Sequence, residues 1–322
     1  MAGYREIDII ETMVSNQGEV EESMPIKTIL AAASGGTASD GALEAACRLA
    51  RRFEAHLEGL HIRADATQLI MAAGDGFGMP IAGEFIDKFN RDVAAAASKT
   101  KAAFEAALQR HGIAQAAQPP KLGDPGKPPK SGASATWREE TGYAPGLLSR
   151  RARFFDLVVL GRSDRVVDEP HSDAVEQTLL RSGRPVFLAP AKPPASFGES
   201  VALGWNGSAE SVRALAASLP LLATSRTVTI ISIGDVKDRG VDSGASGVVE
   251  YLAWQGVSAR LRQAAPMTGV GPGQQLLSAA REENADLLVM GGYGRGPWRE
   301  MFFGGATREL VSASLLPLLL VH

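Results

Sequence analysis

The sequence holds a single cysteine, Cys47. One thiol cannot close a disulfide within the chain, so nothing points to an oxidising compartment. No run approaches the ~18 consecutive apolar residues of a membrane span. Charge of neither sign dominates: 33 basic residues face 36 acidic ones, and no basic stripe stands out. That argues against a dedicated nucleic-acid binder, which carries clustered Lys and Arg. The five histidines (His56, His61, His111, His171 and His322) are scattered, without the HExxH or His-x3-His spacing of metal sites. The G-x-S-x-G elbow of a hydrolase triad is absent. So is the G-x4-G-K-[ST] phosphate loop. Residues 1–23 carry six acids (Glu6, Asp8, Glu11, Glu19, Glu21 and Glu22) and one base, Arg5. They lack the positive start and apolar centre of a signal peptide. They are expected to form a loose tail, and the protein is expected in the cytoplasm.

What is present is a core-forming chain of 322 residues, 45% hydrophobic, long enough for about two domains. Its order repeats. An apolar, partly β-branched run at residues 26–33 (IKTILAAA) precedes a helical stretch at 40–53; a second run at 201–205 (VALGW) precedes another at 209–222. Later come 156–161 (DLVVLG) and 286–291 (DLLVMG), each starting after an acid and ending at glycine. Each half then closes with a helix and a last strand, at 184–190 (RPVFLAP) and 316–322 (LPLLLVH). Strands alternating with helices indicate βαβ units and a parallel sheet. A Pro-rich linker at 191–199 (AKPPASFGE) divides the halves into residues 24–192 and 198–322. Residues 115–135 read as an exposed loop from their Pro, Gly, Lys and Ser content. Residues 74–83 (GDGFGMPIAG) are a second glycine-rich stretch, but without phosphate-loop spacing.

Chemistry concentrates in residues 287–310 (LLVMGGYGRGPWREMFFGGATREL). A strand ending at Met290 runs into Gly291, followed by Gly294, Gly304 and Gly305. A glycine-rich turn from strand to helix lets backbone N–H groups approach an anion, and a following helix would add its positive N-terminal end. Thr307 offers a hydroxyl and Arg295 a charged donor. The same glycines would also serve a tight loop that merely packs a helix on the sheet, and both readings stand.

The spacing G-x2-G-x9-G followed by a small residue resembles the ATP-binding signature of the universal stress protein family. The resemblance covers both halves, from residue 24 onward. It implies two tandem Rossmann-like, adenine nucleotide alpha hydrolase-like domains, each with a mainly parallel five-stranded sheet. It further implies that the last strands of paired domains meet, within one chain or in a homodimer. The family's first strand ends in an aspartate; here that position is Asn206, in Trp205-Asn206-Gly207-Ser208. The family's loop ends Gly-Ser or Gly-Thr, whereas this one ends Gly304-Gly305. The expected site, beyond the carboxyl ends of the strands, comprises Asn206, Gly207, Ile231, Met290, Gly291, Gly294, Arg295, Gly304, Gly305, Ala306 and Thr307. The implied ligand is ATP, with or without Mg2+, or a related adenine nucleotide. No general base or nucleophile stands out, so a stress-response binding protein is expected. A weak ATPase or autophosphorylating protein and a nucleotide-free dimeric scaffold are the alternatives.

The first half reads as a decayed copy. Gly161 matches Gly291, Asp164 replaces Gly294, and Ser172-Asp173 replace the closing glycines, with Asp168 and Glu169 between. Four acids where glycine amides should be would repel a phosphate, by about 1 kcal/mol per close pair even in water. Ser34 takes the place of Asn206. No nucleotide is therefore expected in this half, and a solvated acidic loop is favoured over a metal site. Cys47 is expected as a buried structural thiol, His61 as a core or rim residue, and Trp137 as packing with Arg138 at the cleft edge. Trp298, Phe302 and Phe303 are read as packing or as an apolar lid.

Overall fold

A computed structural model describes residues 26–65, 79–116, 132–162, 169–234, 244–292 and 316–322. In the first half the order is β1 (Thr28–Ala32), α1 (Gly36–Phe53), β2 (His56–Arg63), α2 (Met79–His111), β3 (Ala114–Gln115) and β4 (Ser134–Thr141), then α3 (Ala144–Ala152), β5 (Leu157–Gly161), α4 (Glu169–Ser182) and β6 (Val186–Ala189). The second half runs β7 (Ser200–Gly204), α5 (Ala209–Leu222), β8 (Thr227–Ile233), α6 (Ala245–Trp254), β9 (Ala259–Ala264), α7 (Pro272–Glu282), β10 (Leu287–Gly291) and β11 (Leu318–Val321). Residues 190–199 between β6 and β7 hold neither helix nor strand. Among the described residues no helix is long and apolar enough to cross a membrane.

Among the described residues all eleven strands form one sheet, in the order β3-β4-β2-β1-β5-β6-β11-β10-β7-β8-β9. Within each half every pairing is parallel. The halves join through β6 and β11, which pair antiparallel with Leu319 opposite Phe187. The last strands thus meet inside one chain. Because that seam is antiparallel, the carboxyl ends of the two parallel sets point to opposite edges of the sheet.

The sheet is buried on both faces, as parallel sheets require. Alternate strand residues feed two cores. Ile29, Leu57, Val159, Phe187, Leu203, Ile230, Val289 and Leu319 face α1, α2, α5 and α6. Leu30, Leu60, Leu160, Leu188, Ile231, Met290 and Leu320 face α3, α4 and α7. The first of these cores continues across the β6–β11 seam without a break.

Two differences from the sequence reading concern the first half. Its sheet has six strands, because the short β3 adds an edge beside β4. Residues 115–135 are accordingly not all loop: Gln115 belongs to β3, and Ala135 of β4 is fully buried. Their small and polar composition hid a strand start that pairing with β2 dictates. Residues 79–83 open the helix α2, while 74–78 and 117–131 lie outside the described residues.

The acid that begins each repeated strand motif has a structural role. Asp156 Oδ2 accepts from the backbone N–H of Lys27 and Thr28 and from the Thr28 hydroxyl, each at 2.9 Å. Asp286 accepts from the N–H of Gly198, Glu199 and Ser200 at 2.7–3.1 Å. Each aspartate fixes the start of the neighbouring first strand. The linker is clasped from α1. Arg48 donates to the carbonyls of Pro194 and Ala195, and Arg52 to those of Phe197, Gly198 and Leu221 and to the Thr224 hydroxyl. Cys47 is fully buried in α1. Burial, with Glu44 nearby and Arg110 opposing, pushes its thiol up to about 12. His61 is buried, meets the Ala33 carbonyl at 2.6 Å through Nδ1 and stacks on Trp137. Trp137 also packs on Phe104. Arg138 pairs with Glu58 and Glu140. Glu58 is buried and bound twice by Arg151, at 2.7 Å each.

Candidate functional site

In each half the sheet order reverses beside the first strand: β7 lies between β8 and β10, and β1 between β2 and β5. Such a switch point leaves a crevice at the strands' carboxyl ends, where open α/β sheets bind ligands. In the second half the segment after β7 is Trp205-Asn206-Gly207-Ser208, while β10 ends at Gly291 and the chain leaves it at Gly292.

The turn after β7 builds itself. Trp205 is buried, and its N–H donates to the Ile231 carbonyl at 2.9 Å. Asn206 is exposed, and its Oδ1 accepts from the Ser208 N–H at 3.1 Å, closing an Asx turn. Gly207 has φ of 74°, the left-handed region that favours glycine. Ser208 then caps α5, its hydroxyl accepting from the Ser211 N–H at 3.2 Å. Glu210 sits in the first turn, where a carboxylate suits the positive helix end. Burial pushes its carboxyl up. The hydrogen bonds from its own N–H and from Ser208, together with Arg213 and His322, outweigh burial and hold it below the usual range. The positive end of α5 is thus already answered by protein groups.

Gly291 is where α5 crosses the sheet. A Cβ there would lie 2.6 Å from the Glu210 carbonyl carbon and 2.8 Å from the Ser211 nitrogen. Gly161 holds the same place in the first half, where a Cβ would lie 2.1 Å from the Ala38 oxygen of α1. Close helix-to-strand packing therefore requires glycine at both positions, whatever else Gly291 does. Gly292 donates its N–H to Val321 at 2.7 Å, and its carbonyl lies 3.1 Å from His322 Nδ1. A Cβ on Gly292 would lie 3.0 Å from Leu179 of α4, so the first half borders this edge of the second.

Of the residues expected at the site, the structure brings Asn206, Gly207 and Gly291 to the same edge of the sheet. Ile231 and Met290 are buried in the core directly beneath, at 1% and 2% exposure, so only as an apolar floor do their side chains face that edge. Gly294, Arg295, Gly304, Gly305, Ala306 and Thr307 lie outside the described residues, as do Trp298, Phe302, Phe303, Asp164 and Asp168. Sequence reasoning missed Glu210 and His322 as neighbours of Gly291 and Gly292. Glu210 was legible as an acid two residues after the capping serine.

The equivalent crevice of the first half has the same frame. Ala33 donates to the Leu60 carbonyl at 2.8 Å as Trp205 does to Ile231, and Arg162 donates to Ala189 as Gly292 does to Val321. Its contents differ: a cleft of ≈ 170 Å³ lies there, lined by residues of β1, β2, β5, α3 and α4.

This is the architecture of an open, doubly wound α/β protein in two tandem copies. Residues 173–322 match the model of the Universal stress protein family, so the chain carries a universal stress protein domain there. The match begins inside α4 and takes in β6, the strand that β11 pairs with. A universal stress protein from Archaeoglobus fulgidus is similar over 91% of this chain and 97% of its own, with a TM-score of 0.62 and 15% identity. That likeness spans both halves and shows a shared fold. The universal stress protein UspA from Lactobacillus plantarum covers 51% of this chain and 98% of its own, at 15% identity and a TM-score of 0.36. A universal stress protein solved in complex with cAMP covers 38% of this chain and 97% of its own, at 19% identity and a TM-score of 0.29. No curated protein matches the chain.

Proposed function

We propose that this protein is a stress-response binding protein that takes ATP, or a related adenine nucleotide, at the switch point of its second half. The observation that carries the reading is the meeting of Asn206-Gly207 after β7 with Gly291-Gly292 at the end of β10, in the half that matches the family model. Asn206 and Gly207 would face the nucleoside over an apolar floor that includes Ile231 and Met290. Ser208 and Glu210 already occupy the end of α5. The phosphates would therefore fall to the glycine segment that continues from Gly291, with the amides of Gly294, Gly304, Gly305 and Ala306, the Thr307 hydroxyl and Arg295 as donors. Mg2+ would arrive on the phosphates, since no group of three or more His, Cys, Asp or Glu gathers to hold a metal among the described residues. The reading is of binding and gives no residue a catalytic role. The β6–β11 seam supports a second reading, in which the halves serve only to pair with each other as a nucleotide-free scaffold.

Thermal unfolding with Mg-ATP or cAMP tests the proposal, on the wild type and on Gly294→Asp, which copies the first half. A ligand at ~100 times its dissociation constant adds about 2.7 kcal/mol to the folded state. That corresponds to a melting shift of roughly 5–10 °C for a unit of this size. The shift is expected in the wild type and absent in Gly294→Asp. No shift in either protein at millimolar nucleotide would leave the scaffold as the better account.

A further inference from the structure

One corner of the first half carries positive charge that the fold does not pair. Arg150 in the last turn of α3, Arg153 just after it and Arg181 in the last turn of α4 are exposed, and Arg184 is half-buried. Backbone acceptors hold the corner together. Arg153 donates to the Arg181 carbonyl at 3.3 Å, and Arg184 to the Arg153 carbonyl at 2.9 and 3.2 Å. Among the described residues none of the four pairs with a carboxylate. Cations suit the negative ends of helices, which accounts for the arginines but not for the apolar groups beside them. Phe154, next to Arg153, is 72% exposed, and Leu180, next to Arg181, 39%. A lone exposed apolar residue needs no explanation; here two lie together, among guanidinium groups without a counter-ion.

The chain itself supplies a matching segment at this place. Residues 1–25 lie outside the described residues and lead into β1 through Ile26 and Lys27. The Lys27 N–H donates at 2.9 Å to Asp156, two residues beyond Phe154, so the point of entry borders the patch. Residues 1–25 hold six acids against one base, and Glu19, Glu21 and Glu22 flank Val20 shortly before the entry. The four to seven residues that separate them from Ile26 span at most roughly 13–25 Å, enough to cover the corner. Residues 117–131, by contrast, carry three lysines and one aspartate, the wrong sign for this surface. The cations of α1 and α2 are no rival target: Arg48 and His111 meet Glu44, and Arg52 meets linker carbonyls.

We propose that residues 19–22 fold back on this corner, with Glu19, Glu21 and Glu22 among the four arginines and Val20 against Phe154 and Leu180. The segment that composition alone reads as a loose tail is then the cover of a basic, partly apolar surface. The proposal does not rest on nucleotide binding in the second half.

Disulfide trapping in the full-length protein tests it, because Cys47 is fully buried and does not compete. Val20→Cys is combined with Leu180→Cys in one protein and with Arg51→Cys in a control; both second positions are exposed. Arg51 ends α1, on the other face of the sheet. Expected is an intrachain disulfide that forms at least about fivefold faster at position 180 than at position 51, beyond what tethering alone provides. Joint Glu19→Gln, Glu21→Gln and Glu22→Gln changes should erase that preference, as should 1 M NaCl, which screens charges beyond ~3 Å. Equal rates at the two positions would overturn the proposal and leave the patch to a partner other than this segment. Disulfides between chains at position 180 would overturn it by giving the patch to a second copy. A preference unchanged by both the glutamines and the salt would refute the pairing of these acids with the arginines.

Discussion

Gly291→Ala is the sharpest test of how the second half is assembled. The added methyl carbon would stand 2.6 Å from the Glu210 carbonyl carbon, 2.7 Å from the Glu210 Cβ and 2.8 Å from the Ser211 nitrogen. Carbon atoms rest at roughly 3.5–4.0 Å, so the first turn of α5 must retreat by close to 1 Å. None of the three obstructing atoms is the end of a flexible side chain. Strain of this kind costs about 1–3 kcal/mol. Alanine recovers about 0.4–1 kcal/mol by narrowing the unfolded ensemble. The net loss for Gly291→Ala should be about 1–2 kcal/mol. Gly161→Ala should lie at or above the top of that range, because its methyl would sit only 2.1 Å from a backbone oxygen. The control is Gly247→Ala in α6, where an added Cβ meets nothing within 4 Å. There the change should stabilise by up to about 1 kcal/mol through helix propensity. Urea unfolding followed by circular dichroism measures all three, with constant m showing that the change is in stability. Nucleotide affinity should fall in Gly291→Ala and stay unchanged in Gly161→Ala. If both variants prove as harmless as Gly247→Ala, close backbone approach is not why glycine ends these strands.

Asp286→Ala strips an acceptor from three backbone N–H groups. It should cost about 2–3 kcal/mol in the same urea assay, with Asp286→Asn losing less. His56 is bridged by the Ser134 and Thr136 hydroxyls, and burial, opposed by Glu58, holds its pKa below the ordinary 6.5. The unfolded chain then binds the extra proton first. This contribution is fully present above pH 6.5 and is lost as pH falls through the folded value. Melting temperatures against pH should slope downward on acidification below 6.5 in the wild type and less so in His56→Gln; equal slopes would reject the assignment. Cys47, with its thiol pushed up to about 12, should label with a thiol reagent only as fast as the protein unfolds, and rapid native-state labelling would contradict its burial.

Much of this architecture was written in the sequence. Residues 157–161 and 287–291 are apolar runs too short for helices, and a run buried on both faces needs no alternation to be recognised as a strand. The helix Ala209–Leu222 has the bounds that its Ser208 cap and apolar spacing imply. The repeat itself, with its linker at 191–199, is a statement about order along the chain, which local patterns carry well. The site's frame was legible for the same reason: Asn206-Gly207 come just past the end of one strand and Gly291 ends another.

Other features depend on which atoms meet across long separations, and no local pattern encodes that. The acids that open the repeated strand motifs were visible as a repeat, but their partners lie 86–129 residues away. The two-residue strand β3 exists only because β4 offers it an edge. Ile231 and Met290 lie beneath the site rather than beside it because strand alternation, set by sheet register, turns them into the core. The cleft of the first half needs β1, β2, β5, α3 and α4 assembled around one space. By itself, then, the sequence determined the elements, their order and the glycines that end the strands, because backbone preference and hydrophobic period act over a few residues. Only the tertiary structure decided which groups each glycine and acid serves, and which residues meet at each crevice, because packing and desolvation are properties of the folded whole.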